Sequence, residues 1–381
     1  MTTAGNKAGL PAHIDFLDHL RGVAVLMVFL YHALGQAFKM SQLPWLGWFH
    51  DFHVPPEIFL FFPVMVGWCG VAVFFALSGF CIHLSYERSR TKNMGVFYVR
   101  RFFRIYPPYL ICLLIFSFVY PWRGIDFQSP DGSLNFFSHL FLLHNLDHRV
   151  FYGINVAFWS IAVEFQLYLI YPILLWLVRR CGWISSLVFL GVIELGLRLA
   201  EGYWNLKYNA DLPYFILGSP FYFWFSWAIG AWLANAYVKG KPLPFVRIPV
   251  RFWIGVTLVT VMIHPLLPLA FPVMALATVA FIARQLTRPK SLILPGLSHL
   301  RFAGGVSYSL YLLHVPLLHV TMRGIEKTLP ALTSHPTLLF AIYALEWFPI
   351  LGVSWLFFRW IEKPSIDAGK WILKQVPRPA A

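Results

Sequence analysis

Residues 17–34 read LDHLRGVAVLMVFLYHAL, an apolar run that carries an arginine, Arg21, near its start and a histidine, His32, near its middle. Eleven residues apart, the two are about three helical turns from each other. Their side chains would then share one face, about 16 Å apart along the axis. The length and polarity of the run predict a membrane span. Ionisable groups at that depth are costly, and they characteristically line a cavity and serve chemistry or transport. The structural alternative is a histidine satisfied inside the core and an arginine that snorkels to the interface.

The rest of the chain fits a protein built for a bilayer. Of its 381 residues 59% are apolar and 18% aromatic, and only 12% are charged. No soluble domain could cover so much apolar surface, so the composition predicts an all-α, polytopic membrane protein. The net charge of +14 would suggest nucleic acid in a soluble protein. Here it is better explained by basic residues gathered on one side of a membrane. The four cysteines (Cys69, Cys81, Cys112 and Cys181) show no CxxC spacing and predict neither a disulfide framework nor a zinc site. The first run opens with Asp18 and Arg21 and has no evident small-residue cleavage site, so it is expected to be a retained span.

Apolar stretches of spanning length fall at 20–38, 57–84, 103–121, 159–178, 183–200, 213–238, 251–269, 271–286, 303–322 and 337–360, about ten in all. With a cytoplasmic N-terminus, inside segments would hold 23 of the 30 Lys and Arg residues. Arg88, Arg90, Lys92, Arg100, Arg101 and Arg104 lie in one such segment, and Arg284, Arg288, Lys290 and Arg301 in another. Lys39, Arg123, Arg149, Arg198, Lys207, Arg323 and Lys327 would remain outside. This asymmetry and an even number of spans predict both termini in the cytoplasm. The expected organisation is a short N-terminal segment (1–19), a transmembrane domain (20–360) and a C-terminal tail (361–381).

Three further stretches carry polar groups. In RRFFRIYPPYL, Arg100 and Arg101 lie four and three residues before Arg104, so the three guanidiniums converge on one helix face. Such a cluster can grip a phosphorylated soluble ligand or serve as stop-transfer charge at lipid headgroups. Pro107 and Pro108 are expected to distort the helix just beyond it. In FWSIAVEFQLYLIYP, Glu164 follows Ser160 by four residues; it could orient a histidine, act as acid or base, bind a hydroxyl, or pair with a buried arginine. Its position in the outer half of the bilayer predicts an approach to His32 from the side opposite the arginines. In GGVSYSLYLLHVPLL, Ser307, Tyr311 and His314 form one polar stripe, able to guide a substrate or to tie helices together. Ser78 and Gly79, in FFALSGF, suit close helix packing. Glu194 and Arg198 could neutralise each other near the outer surface, and Glu346 has no evident partner. The segment 122–158 holds His144 and His148 four apart; without a committed carboxylate, this predicts no metal site and favours an acceptor-binding or interfacial segment.

Together LDHLRGVAVLMVFLYH (17–32), FFALSGF (74–80), RRFFRIYPPY (100–109), FWSIAVEFQLYLIYP (158–172) and SYSLYLLH (307–314) resemble the acyltransferase 3 family of integral-membrane O-acyltransferases. The resemblance runs through nearly the whole chain in order. It departs at His19, where the family usually has glycine, and it lacks the C-terminal esterase-like domain of some members, which suggests the stand-alone form. It implies acyl transfer, acetyl by preference, from cytoplasmic acyl-CoA to a hydroxyl of a cell-surface or exported carbohydrate. His32 would be the base or a transient acyl carrier, and Glu164 would orient the histidine or the acceptor. Arg21, Arg100, Arg101 and Arg104 would engage CoA. Asp18, Ser78, Trp159, Ser307, Tyr311 and His314 would support the site or the substrate.

No cofactor is expected to be permanently bound: acetyl-CoA or another acyl-CoA would be a co-substrate. The expected partners are acyl-CoA, a carbohydrate acceptor and membrane lipids, with no nucleic acid, and the expected location is a bacterial cytoplasmic membrane. O-antigen, exopolysaccharide, Nod-type oligosaccharide, peptidoglycan and a glycosylated metabolite all remain open as acceptors. A proton-coupled transporter or lipid-linked glycan flippase would also bury His, Glu and Arg. It would not explain the basic cluster at one end, and it predicts inverted repeats that the sequence does not display.

Overall fold

A computed structural model describes residues 13–40, 56–89, 91–121, 125–287 and 298–375. The expectations for residues 1–12, for Arg90, Arg123, Arg288 and Lys290, and for the end of the tail at 376–381 lie outside the described residues. The fold is all-α: the described residues contain helices and turns and no strand.

In chain order the helices are α1 (Asp15–Ala37), α2 (Phe62–Met65), α3 (Gly70–Arg88), α4 (Met94–Leu114), α5 (Pro130–Leu140) and α6 (Phe158–Tyr208). There follow α7 (Tyr214–Leu217), α8 (Trp224–Val238), α9 (Val250–Met262), α10 (Ala270–Leu286) and α11 (Ser298–Gly305). The last four are α12 (Ser307–Thr328), α13 (Pro336–Leu345), α14 (Trp347–Phe357) and α15 (Lys363–Gln375). Among the described residues six helical stretches are long and apolar enough to cross a membrane: Asp15–Ala37, Glu57–Arg88, Met94–Val119, Phe158–Tyr208, Pro265–Leu286 and Pro336–Gln375. The stretches expected as spans at 159–178 and 183–200 are the two arms of α6, bent at Gly182, whose φ of 78° favours glycine. Large apolar side chains stand outward on these helices, Val119 at 78% and Trp360 at 68% exposure, as a lipid-facing surface requires. The protein is a multi-pass membrane protein.

Local chemistry explains several boundaries. Asn93 caps α4 by accepting from the amides of Gly95 (2.7 Å) and Val96 (3.2 Å), and Ser129 caps α5 by accepting from Gly132 N. Contrary to the sequence expectation, α4 runs through Pro107 and Pro108 without a break and loosens only at the π-turn Ile115–Val119. Pro107 cannot donate to the carbonyl of Phe103. The Ser365 hydroxyl of α15 donates to that carbonyl instead, and the Tyr308 hydroxyl of α12 donates to the carbonyl of Ile105 (2.8 Å). The donor borrowed from Ser365 lets a membrane helix keep its proline, while the Tyr308 hydroxyl ties α12 to α4 beside it. Residues 363–375, expected in the tail, thus form a helix that packs on α4.

Two helices, α3 and α8, meet backbone to backbone. A Cβ on Gly79 would lie 1.9 Å from the Trp227 carbonyl oxygen, and one on Gly230 would lie 2.0 Å from that of Ala76. Small residues allow this approach, which gives membrane helices their van der Waals contact. It fixes the face of α3 that carries Ser78.

Candidate active site

Three cavities share walls along α1. At the end where α1 starts, a wide cavity of about 670 Å³ is lined by His13, Arg21, Cys81, Arg88 and Arg100. Next lies a narrow central cavity of about 130 Å³, lined by Arg21, Arg101, Arg104, Glu164, Tyr168 and Ser307 among others. Arg21 and Cys81 border both. An aromatic cavity of about 500 Å³ lies further along α1 and includes Tyr31, His32, Trp68 and Trp159. Val71 and Tyr311 form its common wall with the central cavity. The eleven-residue helical separation of Arg21 and His32 thus becomes two chambers on one axis.

The arginines are held in different ways. Arg21 donates from Nη1 to Asp18 Oδ1 (2.6 Å) and from Nη2 to Cys81 Sγ (2.9 Å). Asp18 also faces His13 Nε2 at 2.8 Å, so the carboxylate steadies the mouth of the wide cavity. The predicted convergence of three guanidiniums is split: Arg100 lines the wide cavity, whereas Arg101 and Arg104 line the central one. Arg104 Nη1 lies 3.7 Å from Glu362 Oε1, and Glu362 is fully buried and accepts from the Ser309 hydroxyl (2.6 Å). Arg101 keeps a buried Nε without a hydrogen-bond partner among the described residues. Such a donor is costly unless a ligand meets it.

Glu164 lines the central cavity with the arginines, not the aromatic cavity with His32. The expected approach to His32 from the far side is therefore not what the fold makes. Instead Glu164 Oε1 accepts from the Tyr168 hydroxyl (2.5 Å). Because Tyr168 spends its proton there, Ser78 Oγ donates to it (3.0 Å), and Ser78 in turn accepts from Trp227 Nε1 (3.2 Å). This relay of fixed donors orients one carboxylate oxygen from the back.

The group that meets His32 is His314. Its Nδ1 lies 2.9 Å from the Tyr311 carbonyl and 3.2 Å from that of Leu310, so Nδ1 carries the proton and Nε2 is an acceptor. His314 Nε2 lies 3.2 Å from His32 Nδ1, which is also 2.9 Å from the Val28 carbonyl. His32 therefore donates from Nδ1 to both, and its neutral form carries the free lone pair on Nε2. Ser160 and Tyr311 hydroxyls hydrogen-bond at 2.7 Å and fix the common wall beside this pair. Trp159 lies across the aromatic cavity, stacked on Phe151 with ring centroids 5.7 Å apart.

The other singled-out residues resolve as follows. Glu194 and Arg198 are buried rather than superficial: Arg198 donates to Glu194 (3.0 Å) and to the carbonyls of Pro268 (2.7 Å) and Tyr222 (2.9 Å). Glu346 accepts from the Thr321 hydroxyl (2.8 Å). His144 is buried with its ring stacked on His139 (3.7 Å), while His148 is exposed. Among the described residues no cluster of three or more His, Cys, Asp or Glu is placed to hold a metal ion. His19 faces the carbonyl of Asp15 from Nδ1 (3.3 Å). Sequence reading passed over Tyr168, Cys81 and Glu362. Only Tyr168 left a usable signal there, its i+4 spacing from Glu164.

Comparison with known proteins now decides the kinship. A family model described as an acyltransferase domain, Acyl_transf_3, matches residues 14–359. The chain belongs to the acyltransferase 3 family. It is 24% identical over 392 residues to the peptidoglycan O-acetyltransferase OatA of Listeria monocytogenes, which covers 92% of this chain and 56% of that relative. It is 30% identical over 173 residues to acyltransferase MdmB of Streptomyces mycarofaciens, covering 43% of this chain and 40% of the relative. It is 27% identical over 276 residues to nodulation protein 10 of Rhizobium leguminosarum bv. viciae, covering 66% and 71% respectively. The chain thus spans about half the length of the first two relatives. No solved structure gave a significant match.

Proposed function

We propose that this acyltransferase 3 chain is a membrane O-acetyltransferase, moving an acetyl group from acetyl-CoA to a hydroxyl of a cell-surface or exported carbohydrate. The observation that carries this reading is the order of the three cavities, with guanidiniums at one end, a narrow passage, and an aromatic cavity lined by His32, whose Nδ1 is held by Val28 and His314. Arg21 and Arg100 would hold the phosphates of CoA in the wide cavity by charge-assisted bonds. The pantetheine arm would pass Cys81 into the central cavity, where Arg101 and Arg104 would flank the thioester. The excess of basic residues at this end supports a cytoplasmic orientation in a bacterial inner membrane.

The acceptor would reach His32 from the aromatic cavity. His32 Nε2 takes the hydroxyl proton as the oxygen attacks the thioester carbonyl. The tetrahedral intermediate, its oxyanion met by an arginine, collapses by breaking the C–S bond. The CoA thiolate leaves and takes the proton back from the imidazolium. The acetyl group crosses between chambers while CoA stays on its own side. The Listeria relative is a peptidoglycan O-acetyltransferase, which supports a glycan as the acceptor, and it and the Staphylococcus aureus O-acetyltransferase OatA support acetyl as the group.

The test uses the full chain in nanodiscs with acetyl-CoA, following donor binding by calorimetry and release of free thiol with lysozyme-released muropeptides or chitotetraose as acceptor. Binding by wild type and His32→Ala, with thiol release and sugar acetylation only in wild type, is the expected result. Folded wild type that binds no acyl-CoA overturns the reading and favours a transporter or flippase.

A further inference from the structure

The aromatic cavity holds a carboxylate that the reaction just described does not use. Glu201, on the second arm of α6, lines this cavity with His32, Tyr152 and Trp159. Its Oε2 is buried and has no hydrogen-bond partner among the described residues. A buried, unpaired carboxylate oxygen costs free energy unless something meets it. The nearest candidate on its own helix is Arg198, one turn earlier, but its guanidinium is engaged by Glu194 and by the carbonyls of Pro268 and Tyr222.

We infer that Glu201 is the acceptor-binding carboxylate: it receives hydrogen bonds from hydroxyls of a sugar whose neighbouring hydroxyl is presented to His32. This rests on the proposed acetyl transfer and names the recognition element on the acceptor side. The ligand class follows from the surroundings. A cationic ligand would meet Arg198, which lines the same cavity, whereas a neutral polyol offers donors to a carboxylate without adding charge. Trp159, Tyr152 and Trp68 supply flat apolar walls on which the C–H faces of a pyranose can lie. A carboxylate set among aromatic rings satisfies both sides of such a ring: its hydroxyl rim and its apolar faces. Glu201 is a binding residue, so its loss acts on acceptor affinity and not on the proton transfer at His32.

The experiment compares wild type, Glu201→Gln and Glu201→Ala as full chains in nanodiscs, with radiolabelled acetyl-CoA as donor and lysozyme-released muropeptides and chitotetraose as acceptor probes. For Glu201→Ala the apparent KM for the sugar is expected to rise about tenfold or more, with kcat within about threefold and acetyl-CoA affinity unchanged. Glu201→Gln, which keeps the size and one acceptor oxygen, is expected to fall between the two. A sugar KM within about twofold of wild type in both variants overturns the assignment and leaves the proposed transfer standing. Misfolding of both variants, seen as lost acetyl-CoA binding, shows a structural role and also overturns it. Wild type that binds acetyl-CoA yet acetylates neither sugar overturns the proposed function itself, before Glu201 is in question.

Discussion

His314 Nε2 lies 3.2 Å from His32 Nδ1, joining helices 282 residues apart in sequence at the inner wall of the aromatic cavity. Two backbone carbonyls on α12 fix the proton of His314, and His314 then fixes the proton of His32. The pair therefore sets which nitrogen of His32 is free to act as a base. This is the positioning role that sequence reading gave to Glu164.

Replacing His32 by Ala is expected to lower acetyl transfer by at least about 100-fold, with acetyl-CoA affinity retained. His314→Ala is expected to lower kcat about 10-fold to 100-fold, by analogy with other partners that orient an active imidazole. His314→Gln, whose carbonyl oxygen can accept from His32 Nδ1, should recover part of that loss. Steady-state kinetics on the three variants decide the matter: equal losses in His314→Ala and His314→Gln would mean that packing, not proton placement, is what His314 supplies.

Arg101→Ala and Arg104→Ala are expected to weaken acetyl-CoA binding by about 10-fold or more, since bonds to charged groups are worth roughly 1.5–3 kcal/mol. Glu362→Gln should produce a smaller loss in the same direction, because Glu362 only steadies Arg104 from 3.7 Å. Calorimetry with acetyl-CoA measures all three. Unchanged affinity in both arginine variants would return these residues to a purely topological role.

Tyr168→Phe removes the donor to Glu164 and the acceptor for Ser78 in one step. Transfer is expected to fall about tenfold, corresponding to roughly 1.4 kcal/mol, while donor affinity stays within about threefold. A matching drop in acetyl-CoA affinity would assign the Tyr168–Glu164 unit to donor binding alone.

Gly79→Leu places a side chain where the Trp227 carbonyl oxygen already stands 1.9 Å from any Cβ. The α3–α8 contact must open, and overpacking of this kind costs about 1–3 kcal/mol or more. Thermal unfolding of the detergent-solubilised protein should show a lower midpoint than wild type. Gly196→Ala, where nothing lies within 4 Å of a Cβ, serves as the neutral comparison.

Sequence and structure contributed differently at each residue. That Arg21 and His32 share one apolar helix is legible because helical rise and hydropathy are properties of a single segment. The clustering of Arg100, Arg101 and Arg104 was legible as proximity along a helix but not as a division between two cavities. That division depends on how α4 is rotated against α15, α12 and α6, on which it packs, and no local pattern encodes it. Glu164 was found, and its chamber was misjudged: depth in the membrane says nothing of which side of a common wall a side chain faces. Glu362 lies in the expected tail and Glu201 just past the expected span at 183–200, so only packing brings them to Arg104 and to the aromatic cavity.

The sequence by itself determined that this is an all-α membrane protein with a histidine inside an apolar helix, clustered basic residues and the motifs of its family, because hydrophobic length, charge asymmetry and residue spacing are local quantities. Only the tertiary structure decided that His314 and not Glu164 touches His32, that the arginines divide between two cavities, and that Glu201 lines the aromatic cavity with an Oε2 that has no hydrogen-bond partner among the described residues. The physical reason lies in the helices themselves: in a membrane bundle a helix that is apolar all round has no strong polar face to announce its orientation. Its rotation is set by close backbone contacts such as Gly79 against Trp227, and these join residues that the sequence keeps far apart.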